Sequence, residues 1–354
     1  MKIYKNAVIN GATVDFGVEN GRFAFVGPTD RPGEDLQGRE VIPGLIDIHS
    51  HGCVGRDAMD GPAVLNEMSR FYLRNGVTAW YPTTMSAPAD VLAAVTAQLP
   101  ACDGAVPLGF HVEGPFIDPA HKGAQAEAPI RAARLADAAL WHHVGLMTVA
   151  PEFPGVTKAI SGWPFRVCLG HTGCDFETAL AAFSAGAVCV THLFNAMPAL
   201  HHRAPGLIGA AVQAGAYVQV IADGLHLHPA TVLLAYRLFG PDRMILISDS
   251  MRAAGLNDGV YDLGGQAVTV RAGKATLADG TLAGSTATVL ACVKNCIAFG
   301  IPKADALRMA TATPAAMMGL NKGTIAPGKD ADFVVMDQTF TPVAAAVGGR
   351  FARL

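Results

Sequence analysis

Charged residues make up only 16% of the 354-residue chain and aromatic residues 7%, with a formal net charge of -3. So little charge leaves no basic face for nucleic acid or an acidic membrane surface, and a small molecule is the partner to expect. Long hydrophobic runs are also missing. Hydrophobic residues reach 51%, yet a charge, Gly or Pro interrupts every apolar stretch well short of the roughly 20 residues that a spanning helix needs. The hydrophobicity therefore belongs to a large buried core. The opening MKIYKNAVIN lacks an apolar segment with a small-residue cleavage site, so the expected location is the cytoplasm. The seven cysteines are odd in number and contain no Cys-x-x-Cys pair. That excludes a disulfide framework or a zinc knuckle and leaves them as small buried hydrophobes, Cys292 and Cys296 among them at helical spacing.

What is present is a repeated alternation. From residue 44 onward, eight short runs rich in branched residues end in polar or Gly-containing turns: 45–52, 77–84, 107–115, 145–152, 166–172, 187–195, 216–226 and 243–250. Helix-period segments such as AVLNEMSRFYLRNG, ADVLAAVTAQL, FETALAAFSAG and PATVLLAYRLFG lie between several of them. This pattern predicts an α/β fold, a (β/α)8 TIM-type barrel over residues 44–320. Residues 1–43 and 321–354 read instead as short strands with Gly turns, FGVENGRFAFVG and GKDADFVVMD among them. They are expected to pair into a small β-sandwich domain. A hairpin-like stretch, GVYDLGGQAVTVRAGKATLADGTLAG, interrupts the barrel after its last strand.

A barrel of this type carries its chemistry at the C-terminal ends of its strands, and the polar residues fall there. His49 and His51 follow the first run, Glu113 the third, His171 the fifth, His192 the sixth, His226 the seventh and Asp249 the eighth. Two histidines two residues apart on a strand face the same way, here into the barrel. With Glu113, His171 and His192 they offer nitrogen and oxygen donors suited to Zn2+ or Fe2+. A carboxylate buried at Glu113 needs a cation beside it. Asp249 is placed to take a proton from a water attacking a carbonyl carbon and to pass it to a leaving amine.

These motifs resemble the amidohydrolase superfamily and, within it, the N-acetylglucosamine-6-phosphate deacetylase family. PGLIDIHSHG, HVEGPF with HKGA, GHT, THLFNAM, PGLIG, ADGLH, SDSM, DGTLAGS, ATATPAAMMGL and GTIAPGKDADFVVMD carry the resemblance in order over nearly the whole chain. The resemblance implies that Glu113, His171 and His192 are the primary metal ligands and that Asp249 is the general acid/base. It also implies that His49 and His51 belong to members holding two metals. Asn195, Ala196 and His226 match contacts to an amino-sugar phosphate. Arg203 matches an arginine that reaches the phosphate in a neighbouring subunit, implying a homodimer. The implied activity is hydrolysis of the acetamide of N-acetylglucosamine 6-phosphate to glucosamine 6-phosphate and acetate.

Two positions depart from the family pattern. Gln125 stands where many members carry a histidine that contacts the acetamide carbonyl, and Arg252 stands where small or apolar residues are usual. Gln125 keeps the galactosamine epimer open as a substrate. A cyclic-amide hydrolase would place a bridging lysine at a mid-barrel strand end, where the fourth run here ends in Glu152. A binding relic without activity would have lost a ligand or the acid/base, and all six positions carry competent residues.

Overall fold

The computed structural model describes residues 1–354, apart from the side chains of Leu135 and Arg353. Eight parallel barrel strands follow the order of the chain: Leu45–Ser50, Val77–Thr84, the pair of pieces Val106–Pro107 and Phe110–Glu113, Val144–Val149, Arg166–Leu169, Cys189–Val190, Tyr217–Val220 and Met244–Leu246. Strands flanked on both sides must be apolar throughout, and every residue of Val77–Thr84 is buried. The first and eighth strands do not share a ladder. The seam between them is closed by the Asp47 carboxylate, which accepts from the Ser248 hydroxyl at 2.5 Å and from the His49 N–H at 3.2 Å. The Asp249 N–H then donates to the His49 carbonyl at 2.9 Å.

The strands end sooner than the apolar runs suggest. His171, His192 and Asp249 adopt positive φ angles of 50°, 28° and 48°. Each lies two or three residues past the last strand residue, Leu169, Val190 and Leu246, where the left-handed backbone sets the direction of its side chain. Helices at Leu65–Arg74, Ala89–Thr96, Phe176–Ser184 and Pro229–Phe239 occupy the segments with helical period. Phe176–Ser184 starts where Asp175 accepts from the Thr178 N–H at 2.8 Å, and Pro229–Phe239 starts with its proline in the first turn. No α-helix follows the third strand among the described residues. Pro115, Pro119 and Pro129 interrupt that segment, leaving two short 3-10 turns, Pro119–His121 and Leu135–Ala139, in a long loop over the barrel mouth.

Both ends of the chain form the flanking β-sandwich. One sheet contains Lys2–Ile9, Ala12–Glu19, Arg22–Val26 and Glu34–Asp35; the other contains Val41–Pro43, Phe333–Met336, Pro342–Val347 and Arg350–Arg353. An aromatic core fills the space between them. Tyr4 stacks on Phe16 at 4.9 Å, and Phe16 meets the edge of Phe333 at 5.1 Å. The interrupting hairpin is a three-stranded antiparallel sheet, Gly259–Leu263, Gln266–Arg271 and Lys274–Thr276, packed through Leu263 and Val268 against Met85 and Met251 beside the barrel mouth.

Gly44 joins the sandwich to the first barrel strand. Its N–H donates to the Asp332 carbonyl at 3.0 Å, and a Cβ at this position would stand 2.7 Å from the buried Thr78 Cβ. Gly44→Ala should force the two strands apart at a cost of about 1–3 kcal/mol. Differential scanning fluorimetry should then show Tm lowered by several degrees; an unchanged Tm would contradict this packing.

Candidate metal and active site

Side chains from five of the eight strand ends meet at the floor of a cavity of about 430 Å³. Glu113, at the end of Phe110–Glu113, is its centre. Its Oε1 lies 3.2 Å from Nε2 of both His171 and His192 and 3.4 Å from Nε2 of His49, and its Oε2 lies 3.4 Å from Nε2 of His51. Asp249 Oδ1 is 3.2 Å from Nε2 of both His49 and His51. The positions expected from sequence as metal ligands and acid/base are therefore brought together. His49, His51 and Glu113 form one group able to hold a metal ion, and Glu113, His171 and His192 form another, with Glu113 shared.

Hydrogen-bond chemistry tests whether these residues fit a cation. His171 Nδ1 lies 3.0 Å from the His121 carbonyl, which can only accept, so Nδ1 carries the proton and Nε2 of the neutral ring is a bare lone pair. That lone pair faces a carboxylate oxygen and, at 3.0 Å, Nε2 of His192. His49 repeats the arrangement: its Nδ1 is 3.0 Å from Gln219 Oε1, and its Nε2 is 3.2 Å from Nε2 of His51. Converging lone pairs repel unless a proton or a cation lies among them, and mixed imidazole and carboxylate donors suit a divalent transition metal. The set fits.

The electrostatics agree. Burial would raise the Glu113 carboxyl, yet the His49 and His171 imidazoles hold it well below the ordinary carboxylate range. Burial likewise opposes ionisation of Asp249, but His49 and His51 hold it down at about 2. His51 is raised well above the usual imidazole value despite burial, because Asp249 and Glu113 face it.

The remaining residues expected at the site divide. Asn195, Ala196, His226 and Gln125 line the cavity. His226 lies beyond its strand, in a turn where Asp223 accepts from its Nδ1 at 2.8 Å, leaving Nε2 for a ligand. Asn195 turns its amide back onto the His192 carbonyl at 3.1 Å. Gln125 is not a free carbonyl contact: its Nε2 donates to Glu113 Oε2 at 2.6 Å, and its Oε1 accepts from the Ser86 N–H at 2.7 Å. Arg203 is exposed, 2.7 Å from the His202 ring, and outside the cavity of its own chain.

Sequence reasoning missed several supports. Asp47, Gln219 and His111 are wholly buried. His111 packs edge-on against His49 at 4.4 Å and lies 2.7 Å from the Thr148 hydroxyl, beneath the ligands. Burial pushes this imidazole well below its usual value, so it is neutral. Each of the three was detectable as a polar residue inside a largely apolar strand run, in LIDIH, YVQV and FHVE. Glu152, at the end of the fourth run, is no ligand: it accepts from the Thr172 hydroxyl at 2.5 Å and the Gly173 N–H at 2.7 Å, fixing the turn that carries His171. Thr281 and Leu282, after the last strand of the interrupting sheet, also line the cavity.

The Amidohydrolase family model matches residues 41–352 of the chain. The N-acetylglucosamine-6-phosphate deacetylase of Vibrio furnissii is 38% identical, over 88% of this chain and 82% of its own. The N-acetylgalactosamine-6-phosphate deacetylase of Escherichia coli is 36% identical, over 90% of this chain and 89% of its own. Among solved structures, the N-acetylglucosamine-6-phosphate deacetylase of Pasteurella multocida superposes with a TM-score of 0.93 at 29% identity, covering 100% of both chains.

Arg252 points away from the cavity. Its guanidinium pairs twice with Asp60, at 2.6 and 2.7 Å, tying the loop after the first strand to the segment after the eighth. Replacing this two-pronged pair by Arg252→Met should cost about 1–3 kcal/mol. Chemical denaturation should register that loss while kcat/KM stays near wild type; a collapse of kcat/KM at unchanged stability would place the side chain in the site instead.

Proposed function

This chain belongs to the amidohydrolase family, and we propose that it is a metal-dependent deacetylase that hydrolyses N-acetylglucosamine 6-phosphate to glucosamine 6-phosphate and acetate. The observation that carries the reading is the convergence of four imidazoles on the Glu113 carboxylate, with Asp249 beside them, on the floor of a cavity sized for a small ligand. Glu113, His171 and His192 would hold one divalent cation, Zn2+ or Fe2+, and His49 and His51 with Glu113 a second. When bound, such a cation lowers the pKa of water and polarises an amide carbonyl.

The chain's own residues supply the rest. Asp249 takes the proton of the attacking water and returns it to the departing amine, as an acetamide requires if the amino sugar is to leave neutral. The second hydrogen of the Gln125 amide remains for the acetyl oxygen. His226, oriented by Asp223, meets the sugar, while Asn195 and the Ala196 backbone meet the phosphate. Arg203 belongs to the site of a second copy, where its guanidinium offers two parallel donors to the phosphate; the working enzyme is then a homodimer. A sugar phosphate is retained by the cell membrane, so the site of action is the cytoplasm.

The galactosamine epimer is the second reading, favoured by the similarity to the Escherichia coli N-acetylgalactosamine-6-phosphate deacetylase. Acetate release from both sugar phosphates, measured side by side with zinc- and iron-loaded enzyme, decides between them. The glucosamine compound should be preferred in kcat/KM by at least roughly tenfold, the equivalent of one well-made hydrogen bond to a hydroxyl. The reverse preference would establish the epimer, and no acetate from either would overturn the substrate assignment. Asp249→Asn should lower kcat by about 10²–10⁴-fold; retained turnover would remove Asp249 as the proton carrier.

A further inference from the structure

Gln125 sits in the irregular loop after the third barrel strand, yet its side chain is only 1% exposed. Its two terminal atoms have opposite partners. Oε1 accepts from the Ser86 N–H at 2.7 Å, and Nε2 donates to Glu113 Oε2 at 2.6 Å. A backbone N–H only donates and a carboxylate only accepts, so a single orientation of the amide satisfies both. Ser86 reinforces the grip, since its hydroxyl reaches the Glu113 carbonyl at 3.4 Å.

The two carboxylate oxygens of Glu113 serve different neighbours. Oε1 faces His171 and His192, each at 3.2 Å, and His49 at 3.4 Å, whereas Oε2 is the oxygen on the His51 side, at 3.4 Å. The terminal torsion of a glutamate is soft, so the shared position requires something to fix the carboxylate plane. Gln125 fastens the Oε2 end. We propose that Gln125 is a positioning residue that keeps Glu113 in the orientation shared by both histidine pairs, securing the cation held by His49 and His51 more than the one held by His171 and His192. This rests on the reading that the site takes two cations. Outer hydrogen bonds of this kind orient metal ligands generally. A glutamine suits the task because it donates without acquiring a positive charge that would compete with the cation for the carboxylate.

The test is zinc uptake rather than turnover. Metal-stripped wild type, Gln125→Met and Gln125→His are dialysed against a series of free zinc concentrations, and bound zinc per chain is measured by elemental analysis. Wild type should fill two positions. Gln125→Met, similar in volume but without a donor, should fill the first as wild type does and the second with affinity lower by about 10–100-fold. Gln125→His returns a ring N–H to the carboxylate and should restore most of the second uptake. Wild-type filling in Gln125→Met, equal weakening of both positions, or a histidine variant no better than methionine overturns the proposal. A wild type saturating at a single zinc overturns it together with the two-cation reading, a result seen in the wild-type curve alone. The deacetylase reading is separate from all of these outcomes, because it is decided by acetate release.

Discussion

A carboxylate buried among four imidazoles is the arrangement on which the rest of this molecule depends. Removing Glu113 from water is costly unless cationic partners surround it, and here every direction from its two oxygens leads to an Nε2 atom or to the Gln125 amide. Two of the four histidines are held by acceptors on their far nitrogens. The His121 carbonyl fixes His171 and the Gln219 amide oxygen fixes His49. The Nε2 lone pairs of His171 and His49 then point inward at neighbouring imidazoles, an arrangement that needs a proton or a cation among them.

The barrel makes that arrangement possible by delivering short side chains from separate strands to one point. Backbone strain does part of the aiming. His171, His192 and Asp249 sit just past their strands in left-handed conformations, which turn their side chains into the mouth. Such conformations cost energy and persist only where surrounding contacts over-determine them. The contacts are visible: Glu152 clamps the turn after His171, and the Asp47–Ser248 pair closes the barrel beneath His49 and Asp249. Burial pushes the Asp47 carboxyl up to about 7 against the opposing pull of Ser248, a measure of how dry this seam is. Arg252 and the interrupting sheet then fasten the loops of the mouth around the cavity.

Much of this was legible in the residues. Alternating apolar runs and helical segments specify the barrel, and His49-x-His51 with Glu113, His171, His192 and Asp249 at successive run ends specifies the cluster, because barrel geometry converts strand-end positions into spatial neighbours. What escaped the sequence depended on a partner far along the chain. Gln125 reads from the sequence only as a substrate contact, and its tie between Ser86 and Glu113 is visible only in the fold. Asp47, His111 and Gln219 read as anomalies in apolar strands until their partners are known. The strand ends were drawn too late because hydropathy does not report ladder pairing, and the loop after the third strand lacks a helix because its prolines remove the donors that one needs. Arg203 is exposed and lies outside the cavity of its own chain, so the fold of a single chain gives it no place in the site.

The most direct test of the account is a crystal grown with zinc and measured on both sides of the zinc absorption edge. Anomalous density is expected within bonding distance of Glu113, His171 and His192, with a second peak between Glu113 and the His49–His51 pair. Density elsewhere, or imidazoles paired with the carboxylates at the positions seen here and no metal between them, would contradict it.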